Sequence, residues 1–212
     1  MTNLDNVKRL LNQRHSHYQL ASEWVSPQAE VEQMLKEVLA LIPSHFNSQG
    51  VRMVLLTGEA HKQHWQLIEK VLIQNIGEEA YNSGTRDKIH TAFMSGVGTV
   101  LFFDEEETTK QLMKQFPLYA HNFPKWAEQV QGSHQLAVWL GLVGLGFGAS
   151  LQHYIGMDDD AIRNQVGAPQ NWRLLAQMPF GKALDEPGPK EKLPVEQLSL
   201  IHISEPTRLL SI

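Results

Sequence analysis

Leu136–Leu151, LAVWLGLVGLGFGASL, is the most apolar stretch of the chain and carries no charge. It falls short of the about 20 residues that a membrane-spanning helix needs, so it reads as a buried core helix. Its four glycines, Gly141, Gly144, Gly146 and Gly148, each weaken a helix by up to about 1 kcal/mol relative to alanine. Close approach of another backbone compensates for that, and a second helix or a second subunit is expected against this face. The run Gly144–Gly148 superficially matches a dinucleotide fingerprint, but it ends a helical pattern where the fingerprint must follow a strand and open a helix. It also lacks the final glycine spacing, which excludes a Rossmann site.

Upstream, Ser26-Pro27 precedes Val31, Met34, Leu35, Val38, Leu39 and Ile42 at helical spacing. Ser26 is expected as N-cap and Pro27 as first helical residue, with Pro43 ending the helix. Arg52–Thr57 and Thr99–Phe103 are short apolar runs next to Gly58 and to Gly96 and Gly98, and both read as buried strands. Glu59–Ile76, Glu105–Phe116 and Asp158–Val166 are helical by composition, and Trp172–Phe180 is a further strand. Helices and strands mix without regular alternation, which favours an α+β fold. Asp185–Pro194, DEPGPKEKLP, is a surface arm by its proline, glycine and charge. We expect one domain over 1–197. Leu198–Arg208, LSLIHISEPTR, matches the translation of a transposon-type sequencing adapter, so 198–212 is expected to be a non-native or disordered tail without function.

The 212 residues are 42% hydrophobic and 19% charged, enough for a substantial core. A net charge of -5 gives no global field for nucleic-acid phosphates, so nucleic acid is not an expected partner. With no cysteine, disulfides, thiolate nucleophiles and cysteine-ligated metals are excluded. The polar N-terminus has no apolar signal core, so a cytoplasmic location is expected, with no membrane association. Neither GxxxxGK[ST] nor GxSxG is present, which removes a P-loop and the usual mark of a serine hydrolase. His61 and His64 do not form an HExxH face; no metal site is expected, and an exposed polar helix face accounts for them.

Three polar clusters carry the functional reading. Arg14-His15-Ser16 sets a planar cationic fork beside a compact hydroxyl, groups suited to a phosphate. Pro43–Gln49, PSHFNSQ, breaks an apolar helix before a strand, and its Asn and Gln offer donors and acceptors to a heteroaromatic edge. Lys190 and Lys192 place two cations in the late arm, where they can join Arg14 on one phosphate.

Taken together, RHS at 14–16, PSHFNSQ at 43–49, GVGTVLFF at 96–103, FPLYAHNFPKWAEQ at 116–129, GASLQHY at 148–154 and AQMPFGK at 176–182 resemble the FMN-dependent nitroreductase family, in its short oxygen-insensitive bacterial and fungal branch. The resemblance spans nearly the whole chain to about Val195. It implies an α+β fold with a central, mostly antiparallel sheet flanked by helices, in an interlocked homodimer with one FMN per interface site. Carried over residue by residue, it gives Arg14 and Ser16 to the FMN phosphate and ribityl chain with His15 beside them, His15 standing where many members carry Arg. Ser44 and Asn47 match the segment contributed by the partner chain, and Gln49 borders the flavin. Ser150, Leu151, Gln152 and His153 match the stretch whose backbone meets N5 and O4, and Lys190 and Lys192 the late basic pair at the phosphate. The implied activity is ping-pong: NADH or NADPH gives a hydride to flavin N5 and leaves, and a nitroaromatic or quinone takes two electrons. The flavin carries the chemistry, so no obligate catalytic side chain is expected; protons come from water, with His153 a candidate donor. The alternative reading is an FMN-binding or storage protein without NAD(P)H turnover.

Overall fold

A computed structural model describes residues 2–199; apart from Leu198 and Ser199, the tail expected at 198–212 lies outside the described residues. Among these, five strands form one sheet: β1 (Leu20–Ala21), β2 (Val51–Thr57), β3 (Gly98–Glu105), β4 (Gly148–Ala149) and β5 (Trp172–Ala183). The order is β1-β5-β3-β2, β4 also pairs with β5, and all these pairings are antiparallel. The helices of eight residues or more are α1 (Asn3–Gln13), α2 (Gln28–Leu41), α3 (Gly58–Ile76), α4 (Glu106–Gln115), α5 (Phe123–Gly144) and α6 (Asp159–Val166). The α+β fold with a mostly antiparallel central sheet is as expected.

Alternation along β3 divides the core in two. Val100 and Phe102 face Val31 and Leu35 of α2 and Val138 and Leu142 of α5. Leu101 and Phe103 face Trp65, Ile68 and Leu72 of α3 together with Phe93. β2 was expected to be a buried strand, yet only Val51 and Leu56 are buried, because β2 lies at the sheet edge with β3 as its one neighbour.

The apolar stretch at 136–151 is not one helix. α5 stops at Gly144, Gly146 takes φ +88°, and the chain enters β4 at Gly148. A helix does pack against Gly141, but the close approach is by a side chain and not by a backbone: a Cβ there would lie 2.6 Å from Met34 Sδ of α2, and the other three glycines also face side-chain atoms. Ser26 does not cap α2. Its hydroxyl donates to Leu145 O (2.9 Å) and ties the start of α2 to the end of α5, while Pro27 occupies the cap position.

His61 and His64 correct a second expectation, since both are buried rather than exposed. They share the stripe of Trp65, Ile68 and Leu72, which is helical spacing facing the sheet. Trp65 Nε1–H donates to Thr99 Oγ1 (2.9 Å), the Thr99 hydroxyl donates to His61 Nδ1 (2.9 Å), and His61 Nε2–H donates to Met94 O (3.2 Å). Burial favours the neutral imidazole that this arrangement uses. Neither ring nitrogen of His64 reaches a partner in hydrogen-bonding geometry. Among the described residues, no group of three histidine or acidic side chains could hold a metal, and no helix is long and apolar enough to cross a membrane.

Candidate functional site

Arg14 ends α1, its N–H donating to Leu10 O at 2.9 Å. Its guanidinium lies 4.7 Å over the Trp139 ring of α5, and the Trp139 Nε1–H beneath it is a buried donor with no partner. The chain then runs beside β4: Ser16 bridges Ala149 in parallel and His17 N–H donates to Ala149 O (3.1 Å). RHS and GASLQHY are thereby neighbours. Arg14, His15 and Ser16 form one wall of a cavity of about 430 Å3, and Lys190 and Lys192 from the far end of the chain form another. None of the three cations pairs with a carboxylate among the described residues. Gathered cations without a counter-charge suit an anion, and a phosphate fits the donors present.

In the 150–153 segment, Ser150 N–H donates to Pro179 O (3.3 Å), while Gln152 N–H donates to Gln177 O (2.7 Å) and Gln152 O accepts from Gln177 N–H (2.9 Å). Strand alternation turns the intervening Leu151 N–H, and that of His153, away from β5. The side chains of Ser150 and Gln152 are buried and bond to each other, Gln152 Nε2–H to Ser150 Oγ at 3.0 Å. The backbone donors of this segment that make no bond to β5 are therefore those of Leu151 and His153. His153 is exposed.

Ser44, Asn47 and Gln49 stand elsewhere. Ser44 Oγ accepts from Gln49 N–H (3.0 Å), and Arg52 Nη1 donates to Gln49 O (2.6 Å). Phe46, Asn47 and Gln49 all take left-handed φ, between 50° and 52°. Such backbone costs about 1 kcal/mol or more per residue and persists only where surroundings impose it. Ser44 and Gln49 line a different cavity, of about 280 Å3, with Met53 and His134. It shares no lining residue with the cationic one, so a single chain does not bring these residues to Arg14.

Asp185 carries no sequence signal. Its Oδ1 lies 2.7 Å from His17 Nδ1, which donates to it, and its Oδ2 accepts from Tyr18 N–H at 2.8 Å. Burial opposes its charge, but the Tyr18 amide and the His17 ring hold its carboxyl below the usual range. No spacing links positions this far apart in the chain.

The fold and this cradle define an α+β protein whose antiparallel sheet carries a cationic cavity beside the β4 edge. The sequence profile of the Nitroreductase family matches residues 11–182, and the chain belongs to that family. The Saccharomyces cerevisiae protein HBN1, named as a nitroreductase, is 34% identical over 161 residues, covering 76% of this chain and 78% of its own. Nitroreductase CinD from Lactococcus lactis, solved with chloramphenicol, is 33% identical with a TM-score of 0.83 and covers 92% of this chain and 98% of its own. A more distant fold neighbour from Exiguobacterium sibiricum, solved with FMN, is 15% identical at a TM-score of 0.68 and covers 91% of this chain and 95% of its own.

Proposed function

We propose that this protein is an FMN-dependent NAD(P)H oxidoreductase that reduces nitroaromatic compounds and quinones in a ping-pong cycle. The observation that carries it is the set of cations Arg14, Lys190 and Lys192, unpaired among the described residues, around a cavity whose wall residue Ser16 bridges Ala149 of β4. FMN, when bound, supplies two-electron chemistry at N5. On this reading Arg14, Lys190 and Lys192 bind the phosphate, with His15 and Ser16 at the ribityl side. Leu151 N–H orients the ring edge, and Ser150, Gln152 and His153 hold or flank that strand. The nitroaromatic ligand in the CinD structure supports the acceptor class, and the FMN of the distant neighbour supports the cofactor.

Ser44, Asn47 and Gln49 reach such a site from the second chain of a homodimer. That agrees with their separate cavity and with Leu4, Val7 and Leu11 of α1, which are 60%, 51% and 46% exposed along one apolar face. We place the protein in the cytoplasm, as one domain over 1–197.

NADH or NADPH added under argon to the flavin-loaded protein should bleach the yellow colour, and an added quinone should restore it. Retained flavin without bleaching would instead identify a carrier. Arg14→Ala should weaken FMN binding roughly ten- to a hundred-fold, since a hydrogen bond to a charged group contributes about 1.5–3 kcal/mol. Unchanged affinity by titration would remove Arg14 from the phosphate.

A further inference from the structure

The arm from Leu184 to Pro194 has no regular structure, and Lys190 and Lys192 are exposed on it. Left to itself, such a segment would spread its two cations over a wide volume and present a low effective concentration to any anion at Arg14. Contacts at its root shorten the free length. Leu184 N–H donates to Gln19 O (2.9 Å), and Asp185 takes both His17 Nδ1–H and Tyr18 N–H. These contacts fall on residues 17–19, immediately after Arg14–Ser16. His17 is itself fixed, through its N–H on Ala149 O and through its ring, 3.0 Å from where a Cβ on Gly148 would stand.

We propose that Asp185 is a positioning residue of the phosphate cradle: by clamping the arm to His17 and Tyr18 it holds Lys190 and Lys192 over Arg14, and so sets the preference for a phosphorylated flavin over an unphosphorylated one. This rests on the FMN reading above. The clamp runs against simple electrostatics. Removing the Asp185 carboxylate takes a negative charge away from the cradle, which by Coulomb's law alone strengthens anion binding. Positioning requires the opposite sign.

The test is titration of the flavin-free protein with FMN and with riboflavin, for wild type, Asp185→Asn, the Lys190→Ala/Lys192→Ala pair and all three together. Asp185→Asn should weaken FMN binding about ten-fold and leave riboflavin binding unchanged. In the triple variant FMN affinity should fall no further than in the lysine pair, because both changes remove the same contacts. His17→Phe, which keeps a ring but loses one clamp bond, should shift FMN affinity the same way by a smaller factor. It also serves if Asp185→Asn folds poorly. Tighter FMN binding in Asp185→Asn, equal losses for both flavins, or losses that multiply with those of the lysine pair would each overturn the clamp. A wild type that binds riboflavin as well as FMN, with a lysine pair variant indistinguishable from it, would overturn the phosphate site itself and the clamp with it.

Discussion

Unfolding free energy should fall by several kcal/mol between about pH 6.5 and pH 4. Burial lowers both His61 and His64 from 6.5 to about 4; the Met94 carbonyl offsets this partly for His61, while the His64 ring has no partner in hydrogen-bonding geometry. In the unfolded chain both imidazoles take a proton near pH 6.5, while in the folded protein they resist until about pH 4. The unfolded state therefore binds more protons across this window, so stability rises with pH through it and is lost as pH falls. A displacement from 6.5 to about 4 corresponds to roughly 3 kcal/mol per histidine. His45 and His134, also lowered by burial, act in the same direction. Asp104, raised by its own burial, acts in the opposite one. Carboxylates held low, such as Asp185, matter only below the ordinary carboxylate range. Urea melts at pH 7.5 and 4.5 measure the loss. His64→Leu fills the same space without orphaned nitrogens and should remove about half of the slope. A midpoint that stays constant over the window would show that these rings ionise freely in the folded protein.

The histidines also show where the fold was legible in the sequence. Positions 61, 64, 65, 68 and 72 repeat at helical spacing, so the burial of His61 and His64 could be read from Trp65, Ile68 and Leu72; residue polarity pointed the other way and lost to register. β3 was legible because TVLFF has no charge and follows Gly96 and Gly98, whereas the edge position of β2 depends on strand order, which local pattern does not contain. GLGFGAS looked like continued helix because its apolar character persists, and only the left-handed Gly146 breaks it. In the candidate site, Arg14, Ser16, Lys190 and Lys192 were found through charge and motif, and the fold does gather them. Asp185 was missed because its partners precede it by more than 160 residues. Trp139 was missed because an aromatic residue in an apolar helix reads as core.

Replacing Gly96 by valine should destabilise the protein by about 3 kcal/mol or more, the scale of an overpacked core. A Cβ at Gly96 would lie 2.5 Å from Phe180 O and 3.2 Å from Phe93 O, both backbone atoms that no rotamer change can move. Gly181 answers it from β5, where a Cβ would lie 2.6 Å from Ala21 O and 3.1 Å from Gly96 Cα. Val97 N–H donates to Phe180 O (2.8 Å), and Phe180 is fully buried and pairs with Ala149 and Gly98. Pushing the Phe180 carbonyl aside breaks that bond and drags β5 away from β4, whose Ala149 O holds His17 behind the RHS motif. Flavin affinity should therefore fall together with stability. At about 2–4 °C per kcal/mol for a domain of this size, the melting temperature should drop by roughly 10 °C. Gly132→Ala is the control: Gly132 is exposed on α5 with nothing within 4 Å of its Cβ position. That change should leave stability unaltered or raise it by up to about 1 kcal/mol through helix propensity. A Gly96→Val protein melting within 2 °C or so of wild type, by the same conversion, would mean that the crossing of Gly96 and Gly181 yields by less than 1 kcal/mol and does not fix the β4 edge.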